Sequence, residues 1–394
     1  AREQEQDVDG VRFVFYSTPG AEAPAEMTFS LPELKAFGGA ELLSQTLHNR
    51  YTLRGAKVRD ALQWPNYIDA SRAQAAGAEV LFNQHHWPVW GQDNIQAFLT
   101  AQRDVYRYLH DQTVRLMNTG LTAPEIAEQL RLPASLDQHL HVHGYYGTLK
   151  HNVRAIYQFY LGWFDANPAN LDPLPPVAAA AKYVALAGGS EPLLAAAEHA
   201  YAEGDYRWAA ELGKHLLYVN PDNQAARDLQ ARSFEQLGYQ AESAPWRNFY
   251  LSGAYELRHG LPEEGFTPVM MLDMLKHTAP ERFLDVMATK LDGTAAADSA
   301  LRINLNFTDS GARFHLWIEN AVLHHRRLDE DEVAEADASL NLSKDLFLQM
   351  ISGQAGIGAL LSSDQVSIDG NALALGRFFS LLDKPDGRFP IVTR

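Results

Sequence analysis

Chemistry in this chain rests on histidine and carboxylate side chains, because its 394 residues include no cysteine. That excludes disulfides, thiolate zinc sites, iron–sulfur clusters and a cysteine nucleophile, and any metal must be held by His, Asp or Glu. The densest imidazole run is His139-Leu140-His141-Val142-His143. On a strand, alternate residues share a face and the three rings would converge. The surrounding sequence is helical in pattern and no Asp-His follows, so these rings are expected to pack or hydrogen-bond at a helix entrance. His324-His325, at the end of a candidate strand, is expected at the surface. No Gly-x-Ser-x-Gly elbow and no Gly-x-x-x-x-Gly-Lys loop occurs, and Gly356-Ile357-Gly358 follows no strand in a βαβ setting.

Other classes fall away on charge and hydropathy. A net charge of −16 with a pI near 5.3 repels nucleic-acid phosphates, and no dense Lys/Arg stripe offsets it. Hydrophobic residues make up 46% and charged residues 21%, which predicts packed interiors. No apolar run approaches the roughly 20 residues of a membrane span, and the first residues lack the pattern of a signal peptide. A chain of this length is expected to divide into two or three domains.

The elements that must position the chemistry follow from periodicity. Val11–Tyr16 is rich in β-branched and aromatic residues and ends at Ser17-Thr18-Pro19-Gly20; Met27, Phe29 and Leu31 alternate with polar residues; Glu79–Phe82 is a short apolar run leading to His85-His86-Trp87-Pro88. All three predict strands. From Asn94 the apolar spacing becomes three and four residues, and a long helix is predicted up to Gly120. Further helices are predicted over Ala123–Leu130, Asn152–Phe164, Pro176–Leu186, Leu193–Ala202, Trp208–Val219 and Ala225–Leu237, with alanine placement resembling tetratricopeptide packing. Beyond Gly260 the alternation at Leu301–Phe307 and Phe314–Ile318 predicts an antiparallel hairpin. A strand over Ala338–Leu342 and helices over Lys344–Ile351 and Asn371–Leu382 complete a small α+β domain.

Several ordered motifs resemble the zinc-dependent alkyl sulfatases of the metallo-β-lactamase superfamily. They are Pro19-Gly20-Ala21-Glu22-Ala23-Pro24-Ala25-Glu26-Met27, Ala40-Glu41, Thr46-Leu47-His48-Asn49, Tyr51-Thr52-Leu53-Arg54-Gly55-Ala56, His85-His86-Trp87-Pro88, Tyr145 to Asn152 and Tyr160 to Leu171. The resemblance implies a multidomain α+β chain. Residues 1–93 would be the C-terminal part of a metallo-β-lactamase αββα fold, 94–259 an all-helical, tetratricopeptide-like dimerisation domain, and 260–394 a sterol-carrier-like α+β domain.

It further implies two Zn²⁺ ions held by Glu22, Glu41 and His86 together with a His-x-His-x-Asp-His segment. That segment is absent from this sequence and is expected in an N-terminal half of the same protein. Glu26 and His85 would orient ligands. Arg54 would grip the substrate's sulfate, since a guanidinium fork matches two oxygens and keeps its charge at any working pH. The implied reaction is hydrolysis of alkyl sulfate esters such as dodecyl sulfate, by a homodimer in a periplasmic or secreted location. Met270, Met271, Met274, Phe283, Leu284 and Met287 would line an apolar cleft, although ordinary packing explains the same residues. The competing expectation is a non-enzymatic module, derived from a decayed hydrolase, that binds an apolar ligand or a partner.

Overall fold

The computed structural model describes residues 3–265, 272–352, 354, 364–384 and 387–393. The chain forms two compact units, residues 1–260 with the terminal residues from Ile391, and residues 261–390.

The first unit opens with strands β1 (Glu3–Val8), β2 (Val11–Ser17), β3 (Met27–Leu31) and β4 (Ala36–Gly38). Helix α1 (Gln63–Gln74) precedes β5 (Val80–Phe82) and β6 (Val89–Trp90). These strands form one sheet in the order β1-β2-β3-β4-β5-β6, antiparallel throughout except for the parallel β4/β5 pair. A parallel pair needs a crossover. Here it is the segment from Gly39 to Glu79, which contains α1 and the long irregular stretch before it.

Helix α2 (Gln92–Met117) lays Ile95, Phe98, Leu99, Val105, Tyr106 and Leu109 into the core, one apolar stripe at helical spacing. Then come α3 (Ala123–Gln129), α4 (Ala134–Asp137), α5 (Leu149–Leu161), α6 (Pro176–Leu186), α7 (Ser190–Ala202), α8 (Tyr206–Val219), α9 (Gln224–Gln240) and α10 (Ala244–His259). Helix α5 is capped by Thr148, whose hydroxyl accepts the His151 N–H, and it ends at Gly162 with φ +73°. It therefore lies three residues earlier than the apolar spacing predicts at each end. Ala197, Ala209, Ala226 and Ala231 are buried between α7, α8 and α9, so small side chains set the close approach of these helices.

The second unit contains α11 (Leu272–Lys276), α12 (Pro280–Ala288), β7 (Arg302–Phe307), β8 (Arg313–Glu319), β9 (Val322–Arg327), β10 (Ala338–Leu342), α13 (Lys344–Ser352), β11 (Ser367–Gly370) and α14 (Ala372–Ser380). Its sheet runs β11-β10-β7-β8-β9, with β10 parallel to β7 and the other pairs antiparallel. Leu284 and Met287 pack into its core with Ile303, Phe314 and Phe378, and Phe283 is also buried. Met274 is exposed; Met270, Met271 and Gly356-Ile357-Gly358 lie outside the described residues. His324 and His325 sit within β9 rather than at a strand end and are half-buried. His324 stacks on Trp317 at 5.1 Å, and His325 Nε2 meets Asp285 Oδ1 at 2.9 Å. No helix among the described residues is long and apolar enough to cross a membrane.

Candidate metal and anion site

Sheet topology, not sequence proximity, gathers the acidic residues. Ser17 pairs with Met27, Phe29 with Gly38, and Gly38 with Phe82. With β2/β3 and β3/β4 antiparallel and β4/β5 parallel, the β2–β3 loop and the exits of β4 and β5 all fall at one end of the sheet. Those segments carry Glu22 and Glu26, Glu41, and His85 with His86.

Each segment is fixed by its own backbone. In the β2–β3 loop the Thr18 N–H donates to Glu26 O at 2.8 Å, while Gly20 turns the chain with φ +75° and donates to Ala23 O at 3.0 Å. After β4, Gly39 donates to Phe82 O at 2.7 Å and Gln84 donates to Ala40 O at 3.3 Å, which ties the two strand exits together. Ala40 is left-handed at φ +43°, a sparsely populated conformation for a residue with a Cβ, and it turns the backbone just before Glu41.

A cavity of about 450 Å³ opens at this sheet end, lined by Glu22, Glu41, His48, Arg54, His85 and His86, with Tyr145 and Tyr146 also on its wall. One carboxylate oxygen from each of Glu22, Glu26 and Glu41 lies within 4.8 Å of the others, the one such grouping of potential metal ligands among the described residues. His85 Nε2 hydrogen-bonds Glu41 Oε1. His86 faces the same cavity, with Nδ1 3.5 Å from Ser44 Oγ, but it stands outside the carboxylate trio. Glu22, Glu41, His86 and Arg54 thus share one cavity, with His85 also on its wall and Glu26 beside the other two carboxylates. The donor set, hard carboxylate oxygens with imidazoles beside them, fits a divalent zinc ion.

Like charges this close are costly. Burial raises the Glu22 pKa, and the charge and hydrogen bond of Glu41 raise it further against the pull of Arg59 and Arg54. Burial also raises Glu26, with Glu22 and Glu41 adding to it. At Glu41 burial pushes upward too, but hydrogen bonds from His85 and Glu22 outweigh it, and the net shift is downward. The three carboxylates are thus held at different proton affinities, Glu22 and Glu26 raised and Glu41 lowered.

One neighbour that sequence reasoning missed is Arg59. It is buried, its Nε donates to Glu22 O at 2.6 Å, and its terminal nitrogens reach Glu22 Oε1 and Asn49, with Asn49 O at 2.9 Å. No spacing rule marks it, because its partner is 37 residues away and the loop alone joins them. Arg59 also helps keep His48 neutral: burial first, then the guanidinium charge, drops the His48 pKa to about 3.

The segment from His48 to Arg59 is held from beneath by the helices. Asn152 on α5 donates to His48 O at 3.0 Å and accepts the Arg50 N–H at 2.8 Å. Gly147 lies so close that an added Cβ would stand 2.7 Å from the His48 and Asn49 backbone. A hydrogen-bond chain runs from Trp246 Nε1 to His151 Nδ1 at 3.2 Å and from His151 Nε2 to Tyr51 O at 2.6 Å, which fixes His151 as the Nε2–H tautomer. On this frame Thr52–Gly55 forms a turn, with the Gly55 N–H on Thr52 O at 3.0 Å and Gly55 at φ +100°. Arg54 is exposed at that turn, on the cavity wall, with no hydrogen bond or ion pair to any described residue. Its guanidinium is available to an anion.

The His139–His143 run forms a single 3-10 turn at Leu140–Val142, not a strand. His139 and His141 stack at 5.3 Å, and Phe98 meets His141 edge-on at 5.0 Å. Burial, then the His139 charge, lowers the His141 pKa to about 4.

Residues 122–260 match the protein-family domain described as alkyl sulfatase dimerisation, and residues 268–394 the domain described as alkyl sulfatase C-terminal. The chain is 43% identical over 390 residues to the alkyl/aryl-sulfatase BDS1 of Saccharomyces cerevisiae, covering 99% of this chain and 60% of that protein. It is 37% identical over 401 residues to a linear primary-alkylsulfatase of Pseudomonas sp., covering 98% of this chain and 74% of the relative. Its structure superposes on the stereoselective inverting sec-alkylsulfatase Pisa1 from Pseudomonas sp. with a TM-score of 0.93 at 41% identity, covering 100% of this chain and 62% of Pisa1. The chain thus spans about 60% of the length of the first of these relatives and of Pisa1. Since the likeness extends over nearly every residue and includes a relative of which it covers 74%, the chain belongs to the alkyl sulfatase family.

Proposed function

We propose that this chain carries part of the active site of an enzyme that hydrolyses sulfate esters of medium and long alkyl alcohols, such as dodecyl sulfate, to the alcohol and inorganic sulfate. The observation that carries this reading is one cavity in which a carboxylate cluster faces an unpaired arginine. The cluster suits a cation and Arg54 suits the tetrahedral anionic head of a sulfate ester. Both are features that a sulfate ester held against metal requires.

Glu22, Glu41 and His86 are the assigned ligands of a pair of zinc ions, with further ligands supplied from outside this chain and with Glu26 and His85 beside them. Bound there, zinc would supply Lewis-acid charge to stabilise oxygens that become more negative during displacement. Arg54 binds two sulfate oxygens through its fork and sets their orientation. Arg59 holds the Glu22 carboxylate in place, and the downward shift of Glu41 keeps it anionic at neutral pH. His48 stays neutral, so it does not compete with Arg54 for the anion.

Residues 1–93 belong, in this reading, to the catalytic domain, 94–259 to a homodimerising helical domain and 260–394 to the sterol-carrier-like domain. The exposed Phe159, Tyr160, Leu161 and Trp163 at the end of α5 support a second copy docking on the helical domain. Sedimentation of the purified gene product tests this, and a monomer at micromolar concentration would contradict it.

Elemental analysis after zinc loading and dialysis tests the metal assignment without reference to turnover. Retained zinc that falls in Glu22→Gln/Glu41→Gln supports it; equal zinc in both proteins removes these ligands. For the reaction, sulfate release from dodecyl sulfate by the whole gene product is expected to fall by about 100-fold or more in kcat/KM in Arg54→Ala. An unchanged value removes Arg54 from the site.

A further inference from the structure

On the other side of the Arg54 turn lies a second and larger cavity, about 900 Å³, that shares no lining residue with the carboxylate site. Its walls come from the turn itself, from α5 and from α10, all within the first unit. Leu53 and Val58 face Trp246 and Phe249 across it, and apolar surface dominates. Two cations join this lining, Lys57 from the turn and Arg154 from α5, and no acidic side chain does. Neither cation makes a hydrogen bond or ion pair with a described residue; the Arg154 guanidinium lies 6.0 Å over the Trp246 ring.

In a chain with 49 acidic residues against 33 basic ones, two cations and no acid at the same apolar cavity give it a local positive charge. Several other basic side chains of this unit pair with carboxylates, as Arg103 does with Asp69 and Asp104 and Lys150 with Glu128, whereas Arg54 and these two do not. An apolar wall alone would take a neutral hydrocarbon, and cations alone would take an inorganic anion. The combination selects a molecule with one anionic head and one apolar chain. The volume lies within the range of cavities that enclose ligands of that size.

We infer that this groove is a binding site for a single-chain anionic amphiphile, with its head on Lys57 and Arg154 and its chain between Leu53, Val58, Trp246 and Phe249. An alkyl sulfate and a fatty acid share this chemistry and both are accommodated. The inference goes beyond the proposed hydrolysis and does not depend on it: the groove holds no candidate metal ligand except His151, whose two nitrogens are already engaged.

Fluorescence titration of the whole gene product with dansyl-undecanoic acid tests it. Laurate and dodecyl sulfate are expected to displace the probe, and the better competitor of the two identifies the preferred head group. Dodecanol and dodecyltrimethylammonium are expected to displace it at least tenfold less well, since each lacks the anion that the two cations require. Lys57→Glu/Arg154→Glu changes exposed side chains and is expected to weaken probe binding about tenfold or more with an unchanged melting temperature. Arg54→Ala is expected to leave probe affinity unchanged.

Loss of binding in Arg54→Ala with none in the double variant places the amphiphile in the carboxylate cavity and overturns the groove site. Equal binding in every variant shows non-specific partition and also overturns it. Affinity that falls as the protein associates on concentration gives the groove to a second copy of the chain and overturns it as well. Because the titration reads binding, failure of the hydrolysis reading leaves these outcomes intact.

Discussion

The two sheets of this protein use the same kind of strand for opposite ends. In the second unit the sheet is a packing surface: Ile303, Leu305, Phe307, Phe314, Leu316 and Ile318 alternate inward, and its histidines are settled by a stacked tryptophan and an exposed aspartate. In the first unit the strands end in irregular loops that bury polar and charged groups, Glu26, His48, Asn49, Arg50 and Arg59, beside apolar ones such as Leu42, Leu43 and Leu47. Burying an apolar face stabilises a fold wherever it occurs, whereas burying ionisable groups costs free energy unless each is partnered. The sheet end that collects such groups is therefore the part of the molecule shaped by something other than stability.

That contrast can be broken at several points, and the largest effect is expected at Arg59. Arg59→Ala removes the partner of a nearly buried Glu22 and of Asn49, and it should destabilise the first unit by about 3–5 kcal/mol in urea unfolding. Gly147→Ala should cost about 1–3 kcal/mol, because its Cβ would displace the His48–Asn49 backbone. Zinc retention should fall with it, whereas an alanine at the exposed Gly376 of the second unit, where an added Cβ meets nothing, should leave retention unchanged.

Arg50 sharpens the comparison in the other direction. It is fully buried between the Trp64 and Tyr106 rings, 3.6 and 3.8 Å from their centroids, and its two terminal nitrogens have no hydrogen-bond partner. Burial first, with the Arg59 charge adding to it, lowers its pKa to about 9. Arg50→Met keeps the packing and removes the charge, and it should raise stability by about 1 kcal/mol or more. A loss of stability would show that the guanidinium is better satisfied than its surroundings suggest.

His141 gives a pH-dependent version of the same test. Its folded pKa of about 4 lies below the ordinary value of 6.5, so between these values the unfolded chain binds the proton and the folded chain does not. Its contribution is present above pH 6.5 and is lost as pH falls toward 4. His141→Phe has no proton to gain, so its melting temperature relative to the unaltered protein should rise steadily across that window. The smallest effect belongs to the exposed pair Lys35–Glu79, whose removal should leave the urea unfolding midpoint essentially unchanged.

How much of this was legible from residues alone follows from the same physics. Strands such as Val11–Ser17 and long helices such as Gln92–Met117 announce themselves through periodicity. Strand Ala36–Gly38 does not, because three buried residues carry no period, yet it is the strand that delivers Glu41. Helix Gln63–Gln74 is too polar to show a clear stripe. Helix Ala244–His259 did leave a signal, since Ser243 caps it and a proline follows in its first turn. At the site, Glu22, Glu41, Arg54 and His86 were accessible only through motif resemblance, because their convergence depends on strand order. The carboxylate grouping that includes Glu26, the His85–Glu41 hydrogen bond and the clamp formed by Arg59 depend on distances that no spacing encodes.

The most direct test of the central claim is anomalous diffraction at the zinc edge from crystals of the zinc-loaded gene product. A peak is expected at the end of the first sheet, about 2.0–2.2 Å from carboxylate oxygens of Glu22 and Glu41. A peak at His139–His143 instead, or none at the sheet end, would contradict it.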